Sequence, residues 1–122
     1  MKIAVVGGRD FTDYDLVKSS ILDNYNLDDL SEVVSGGAKG ADSLGAKFAK
    51  EYNLKLTEFK PDWKKYGRGA GFVRNKLIIE HADVVFAFWD GKSKGTANSI
   101  NIAKRSNKIL RVISYGQHPQ LF

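Results

Sequence analysis

Residues 32–42 read EVVSGGAKGAD and pass through three kinds of local pattern. It begins as a short apolar strand, continues as a glycine-rich turn and leads into an amphipathic segment over residues 38–52. Apolar and small residues in that segment recur at the i, i+3, i+4, i+7 spacing of a packed helix. A strand, a glycine turn and a helix in this order indicate one β→α unit of a parallel sheet.

The same alternation continues along the rest of the chain. Apolar runs predict strands at residues 3–6, 32–35, 54–59, 83–88 and 109–113. Helical periodicity predicts helices at residues 13–25, 38–52, 71–81 and 96–107. Parallel strands with helical crossovers form a three-layer sandwich. The sequence therefore predicts one α/β, Rossmann-like domain over residues 1–122, with a mostly parallel sheet of about five strands and helices on both faces.

Two finer expectations follow from the distribution of apolar residues. The strand at 83–88 is the most apolar and is expected at the centre of the sheet, whereas the alternating strand at 54–59 is expected near an edge. In the third helix, Phe72, Leu77 and Ile78 are expected to form the buried face.

Composition excludes several classes of protein. The 122 residues include no cysteine and two histidines, so disulfides, iron–sulfur clusters, thiolate zinc sites and histidine-rich metal centres are excluded, and we expect no metal. The longest apolar run, at 84–89, has six residues, against the ~20 that a membrane helix needs. We expect a soluble, cytoplasmic protein that does not bind membranes.

Glycine and positive charge are concentrated at one edge of the predicted sheet. The β→α connections at residues 7–12, 35–42, 60–74 and 89–95 hold ten of the twelve glycines. They also hold nine basic and four acidic residues, which accounts for the whole formal charge of +5. Ligands bind at the carboxyl edge of such sheets, and glycine permits close backbone approach. This edge is therefore predicted to bind a phosphate-bearing ligand.

The turn at residues 35–42 carries the clearest signal. Its glycines allow amide N–H groups to face one point, Ser35 adds a hydroxyl and Lys39 adds a cation. Asp42 has two interpretations, as a residue that begins a helix or as an acceptor for a ribose hydroxyl. Two nucleotide signatures fail: Phe86 stands where a Walker A loop needs glycine, and residues 7–12 do not provide the dinucleotide fingerprint.

Four motifs follow one another in the order of a known family. They are residues 6–11 (VGGRDF), 35–42 (SGGAKGAD), 61–63 (PDW) with 70–75 (AGFVRN), and 87–96 (AFWDGKSKGT). Over residues 2–114 the chain resembles the small YspA-like branch of the SLOG superfamily, whose relatives include DprA recombination mediators and LOG phosphoribohydrolases. The resemblance implies a Rossmann-like fold that binds nucleotides or their derivatives, in some members ADP-ribose-like signals. It also implies a homodimer, since relatives often dimerise.

The resemblance has consequences for catalysis. Arg74 looks like the counterpart of the arginine in the LOG enzymes' R-K motif, while Asn98 and Ser99 occupy the places of their acids. An amide cannot take a proton as a carboxylate does. Hydrolysis of the LOG type would need another acid, so the catalytic candidates are Asp42 and Asp90 with Arg74. The sequence favours binding over turnover, with no obligatory cofactor.

The predicted site combines these motifs. The residues expected to contact a nucleotide-type ligand are Gly7, Gly8, Arg9, Ser35, Gly36, Gly37, Ala38, Lys39, Gly40, Asp42, Trp63, Arg74, Asn75, Trp89, Asp90, Gly95 and Thr96. Phosphates are expected on the 36–40 turn and on Gly95-Thr96.

Some of these residues have a structural interpretation as well. Trp63 either stacks on a base or belongs to the fold, Trp89 either contacts ligand or ends the core strand, and Arg74 either binds phosphate or pairs an interior acid.

Three functions remain open. The first is a sensor or sequestering protein for a small nucleotide derivative, the second an N-glycosidase acting on nucleoside monophosphates. The third is single-stranded nucleic-acid binding of the DprA kind. The positive edge permits it, but no extended basic stripe with interleaved aromatics is present beyond residues 63–68.

Overall fold

Short buried strands and amphipathic helices alternate along the chain, as their sequence patterns predict. The computed structural model describes residues 1–116. Within them the strands are β1 (Lys2–Gly7), β2 (Glu32–Ser35), β3 (Lys55–Glu58), β4 (Val84–Trp89) and β5 (Ile109–Ser114). The α-helices are α1 (Tyr14–Leu22), α2 (Ala41–Glu51), α3 (Trp63–Tyr66), α4 (Ala70–His81) and α5 (Lys94–Arg105). Short 3₁₀ turns lie at Leu27–Asp29 and Gly67–Gly69.

All five strands form one parallel sheet in the order β3-β2-β1-β4-β5. The chain moves outward from β1 to β3 and then crosses to the other side of β1 to begin β4. This change of direction opens a crevice between the carboxyl ends of β1 and β4, which is where open α/β sheets bind ligands. The register places Gly7 beside Phe88 at the mouth of that crevice.

The core lies on both faces of the sheet. On one face, Val5 and Phe86 pack with Val17 of α1 and Phe48 of α2. On the other face, helices α4 and α5 bury a second cluster of apolar side chains against the sheet, including Ile78. The predicted three-layer, Rossmann-like sandwich is therefore confirmed. Among residues 1–116, no helix is long and apolar enough to cross a membrane.

Two finer expectations are wrong. The middle strand is β1, and β4 lies next to it, because β5 pairs with the outer side of β4. Phe72 and Leu77 are 55% and 43% exposed, whereas Ile78 is buried as expected. Helix α4 buries Ile78 and Ile79 in the core, and Phe72 and Leu77 lie outside the core. The edge position of β3 is confirmed.

Side-chain caps set the helix starts that border the crevice. Asp62 begins α3, where its Oδ1 accepts the N–H of Lys65 at 3.1 Å. Ser93 begins α5, where its Oγ accepts the N–H of Thr96 at 3.5 Å. Capping side chains of this kind satisfy the free N–H groups of a first helical turn. The loops that approach the crevice therefore have defined ends.

Candidate functional site

Two adjoining cavities occupy the carboxyl edge of the sheet. The central cavity, of about 530 Å³, lies between the ends of β1 and β4 and the starts of α4 and α5. The lateral cavity, of about 830 Å³, lies over the turn between β2 and α2. Their common wall consists of Arg9, Ala38 and Arg74. Both volumes fall in the ~300–1,000 Å³ range of small-molecule sites.

Arg74 and the adjacent Asn75 connect the start of α4 to the 36–40 turn and to the start of α5. Its Nη1 donates to the carbonyl oxygen of Gly36 at 2.9 Å, and its Nε donates to Asn75 Oδ1 at 3.1 Å. Asn75 in turn donates from Nδ2 to Asn98 Oδ1 at 3.1 Å and to the carbonyl oxygen of Gly95 at 3.4 Å. The network fixes one guanidinium between the 36–40 turn and the first turn of α5, where an anion would meet it.

Glycine is required at position 36 for this arrangement. A Cβ there would collide with Arg74 Nη1 and would lie 2.7 Å from Asp42 Oδ2. Gly40 has a φ of +76°, and the backbone of Gly8 and Arg9 fills the space where a Cβ would stand. The N–H of Ala41 donates to the carbonyl oxygen of Gly8 at 3.1 Å. These close approaches hold the first and second β→α loops together.

Asp42 is buried beneath the glycine turn, with 7% of its surface exposed. Its Oδ2 accepts the N–H of Ala38 at 3.2 Å. Burial raises the pKa of this carboxyl above its usual range, although the Ala38 N–H and the charge of Arg74 act in the opposite direction. Burial likewise lowers the pKa of Arg74, against the effect of Asp42. An acid and a cation with opposed shifts in one crevice are typical of functional sites.

Two further carboxylates line the central cavity. Asp90 Oδ1 accepts the N–H groups of Lys92 and Ser93, each at 2.8 Å. The N–H of Ser93, and then that of Lys92, lowers the pKa of Asp90, so it is a carboxylate at neutral pH and not a proton donor. Asp10 Oδ1 accepts the hydroxyl of Tyr115 at 2.8 Å. Both acids can accept hydrogen bonds from ligand hydroxyl groups.

The first turn of α5 presents amide and hydroxyl groups. Asn98 accepts from Asn75, and Thr96 and Ser99 are 4% and 2% exposed. Thr96 Oγ1 donates to Ser93 Oγ at 3.3 Å. At the two positions that resemble those of the LOG acids, Asn98 is therefore a neutral hydrogen-bond partner and Ser99 is a buried hydroxyl.

Most of the predicted site residues come together. The central cavity is lined by Gly7, Gly8, Arg9, Ala38, Asp42, Arg74, Asn75, Asp90, Gly95 and Thr96. The lateral cavity is lined by Arg9, Gly36, Gly37, Ala38, Lys39, Trp63 and Arg74.

Three predicted residues lie outside the lining of both cavities. Ser35 is fully buried and donates to the carbonyl oxygen of Asp42 at 3.2 Å. Gly40 packs against the backbone of Gly8 and Arg9. The indole Nε1 of Trp89 donates to the carbonyl oxygen of Ser93 at 3.0 Å.

The cavities also contain residues that the prediction did not single out. Lys60 and Arg68 lie outside the quoted motifs, whereas Pro61, Phe72 and Ser93 lie within them and Ser99 follows the last one, but none of the six was among the predicted contacts. Lys60 and Arg68 belong to the basic excess of the 60–74 loop, so charge was the signal that could have found them. Among residues 1–116, no group of three or more histidine or acidic side chains is placed to hold a metal ion.

Two solved structures share this fold. The DNA processing protein A (DprA) of Streptococcus pneumoniae superposes with a TM-score of 0.75 at 20% identity, over 94% of this chain and 50% of that one. The DprA of Helicobacter pylori, whose structure is described in terms of its single-stranded DNA binding mode, superposes with a TM-score of 0.62 at 25% identity. That match covers 92% of this chain and 64% of the other. The chain thus spans only half to about two thirds of the length of these proteins.

A comparison with curated protein sequences finds no match. A family model does match, over residues 1–66, which is more than half of the chain and includes β1, the 36–40 turn and the Pro61-Asp62-Trp63 motif. The match confirms the resemblance drawn from the four motifs. The chain belongs to the YspA, cpYpsA-related SLOG family.

Proposed function

We propose that this domain binds a nucleotide or a nucleotide-derived phosphate at the carboxyl edge of its sheet, as a sensor or a sequestering protein. The observation that supports this most directly is the position of Arg74. Its guanidinium is half-buried, is held by Gly36 and Asn75, and lines both cavities. A fixed guanidinium beside a glycine turn binds phosphate oxygens through charge-assisted hydrogen bonds.

The proposed ligand orientation follows from the charges around Arg74. Its phosphate lies against Arg74 and Arg9, and its ribose hydroxyls face the carboxylates of Asp10 and Asp90 in the central cavity. Phosphate alone would gain less from this cavity, since three aspartates oppose its three arginines there. A sugar phosphate satisfies both signs of charge.

The test is binding of AMP and ADP-ribose, followed by isothermal titration calorimetry and by thermal unfolding. Bound ligand should raise the melting temperature by several degrees at saturating concentration. Arg74→Ala should abolish the shift, and Arg105→Ala, which removes an exposed arginine at the far end of α5, should preserve it. No shift with either nucleotide at millimolar concentration would refute the proposal.

The same samples test for turnover. An N-glycosidase would release free base from AMP and would need a carboxylate from Asp10, Asp42 or Asp90, because Asn98 is a neutral hydrogen-bond partner of Asn75. The proposal expects chromatography to recover intact AMP after prolonged incubation. Free base that disappears in Asp90→Asn or Asp42→Asn would establish hydrolysis in its place.

Single-stranded nucleic acid is a second candidate, favoured by one surface. Trp63 and Tyr66 are 57% and 42% exposed beside Lys64, Lys65 and Arg68. Basic side chains among exposed aromatic rings can bind a phosphate backbone and stack on its bases, and the Helicobacter pylori neighbour is described as binding single-stranded DNA. Anisotropy of a labelled oligonucleotide separates the candidates, because nucleic-acid affinity falls steeply with salt.

A further inference from the structure

The two cavities differ in charge although they share a wall. Three aspartates and three arginines line the central cavity. Four cations and no acid line the lateral cavity, namely Arg9, Lys39, Lys60 and Arg74. Glu58 is the nearby acid, since a Cβ added at Gly37 would lie 3.4 Å both from its Oε2 and from Cε of the lining residue Lys60, so one carboxylate stands against the four cations. The lateral cavity is therefore suited to bind an anion, unlike the central cavity, where the two signs of charge balance.

An aromatic ring stands at the mouth of the lateral cavity. Trp63 lines this cavity and not the central one, and it is 57% exposed, which is high for the largest apolar side chain. Pro61 precedes it, and the Asp62 cap fixes the start of the helix that carries it. Asp90 lines only the central cavity. Trp63 and Asp90 therefore line different cavities, which meet at the wall of Arg9, Ala38 and Arg74.

We infer that the site takes a two-ended ligand, in which a diphosphate bridge joins two nucleosides. The bridge lies on the shared wall of Arg9, Ala38 and Arg74, one nucleoside occupies the central cavity, and the second base stacks on Trp63 above Lys60. Each cavity has the volume of a small-molecule site. This inference rests on the proposed function and adds the second nucleoside and its subsite to it.

The experiment compares three ligands by calorimetry: AMP, ADP-ribose and diadenosine diphosphate. ADP-ribose and diadenosine diphosphate share the adenosine and the diphosphate diester, and they differ in the second base. Stacking of one base on an aromatic ring strengthens binding by at least about fivefold. Diadenosine diphosphate should therefore bind at least about fivefold more tightly than ADP-ribose, which exceeds the twofold advantage of a ligand with two equivalent ends.

Variants in α3 test whether Trp63 causes the higher affinity for diadenosine diphosphate. Trp63→Ala should reduce the affinity for diadenosine diphosphate to that for ADP-ribose, while Trp63→Phe should retain most of the gain. Lys64→Ala, a neighbouring exposed residue outside both cavity linings, is the matched control and should retain the gain in full. Thermal unfolding of the ligand-free Trp63→Ala protein shows that the variant is folded.

The contrary outcomes are distinct. Equal affinities for ADP-ribose and diadenosine diphosphate, or a gain that survives Trp63→Ala, would overturn this inference while AMP binding leaves the proposed function intact. Failure of all three ligands to bind would overturn both.

Discussion

Arg74 Nη1 donates a hydrogen bond to the carbonyl oxygen of Gly36 across 2.9 Å, although 38 residues separate the two along the chain. The contact joins the start of α4 to the end of β2, and it occupies the space that a side chain at position 36 would need. The observed position of the Arg74 guanidinium therefore requires glycine at position 36. The proposed anion site depends on both residues.

Replacement of Arg74 tests whether its geometry matters beyond its charge. Arg74→Lys keeps a cation but loses the fork that reaches Gly36 and Asn75. We expect ADP-ribose affinity to fall about 10- to 100-fold in Arg74→Ala, with only partial recovery in Arg74→Lys. Calorimetric titration measures this, and a lysine variant that binds like the wild type would show that charge alone suffices.

Gly36→Ala should damage the site and the fold together. Its Cβ would displace the Arg74 guanidinium and press on the Asp42 carboxylate. Overpacking of this kind lowers the free energy of unfolding by about 1–3 kcal/mol, and the moved guanidinium should weaken ligand binding. Urea denaturation and calorimetry measure the two effects.

Gly71→Ala is the matched control for that variant. Gly71 also lines the central cavity, but it lies within α4 and an added Cβ would meet nothing within 4 Å. Alanine is the better helix former, so this variant should gain about 0.5–1 kcal/mol. If both variants lost stability equally, the special role assigned to Gly36 would be wrong.

The strands and the edge that carries the candidate site could be predicted from local patterns. A buried parallel strand is a short apolar run, and every β→α connection lies at the same edge of a parallel sheet. Glycine and charge in those connections then locate the crevice without any knowledge of contacts. Residues 36–40 and Arg74 were found in this way.

What local patterns could not provide was the assignment of side chains to faces and cavities. Phe72 and Leu77 are apolar but lie outside the core, and Phe72 lines the central cavity, since the face that a helix buries depends on which strands it covers. Ser35 and Trp89 end strands β2 and β4 at the edge of the candidate site, yet the hydroxyl of Ser35 and the indole N–H of Trp89 donate to backbone carbonyls. The separation of Trp63 from Asp90 into two cavities depends on long-range packing, which no motif spacing encodes.

The pair of Glu32 and His81 predicts a loss of stability in acid. Glu32 is 5% exposed, and its Oε2 lies 2.7 Å from His81 Nε2. Burial opposes ionisation of Glu32, but hydrogen bonds from Thr57 and His81 together with the charge of Lys55 hold its pKa below the ordinary value of 4.5. The carboxylate therefore contributes stability above pH 4.5, and the contribution is lost as the pH falls through the lowered pKa.

Removal of the histidine tests this pair. His81→Ala should lower the free energy of unfolding by about 1–3 kcal/mol at neutral pH, because a buried carboxylate loses a partner. The difference from the wild type should shrink below the pKa of Glu32. Urea denaturation across the pH range measures it, and a constant difference at every pH would exclude the carboxylate as its cause.

Asp42 predicts the opposite trend, because burial raises its pKa from the ordinary value of 3.8. An acid with a raised pKa in the folded state destabilises that state once the pH exceeds its unfolded value. Asp42→Asn should therefore be at least as stable as the wild type at pH 7, since an amide oxygen can still accept the N–H of Ala38. Its advantage should grow as the pH rises from 3.8 to the raised pKa and stay constant above it.

The same substitution should tighten binding of a phosphate ligand, because it removes a negative charge that faces Arg74. Urea denaturation at several pH values and titration with ADP-ribose check the two effects on one protein. A variant less stable than the wild type at pH 7 would mean that the interaction of the carboxylate with Arg74 outweighs the cost of burying it. Tighter binding together with unchanged or greater stability would show that the buried charge of Asp42 opposes both folding and the binding of phosphate.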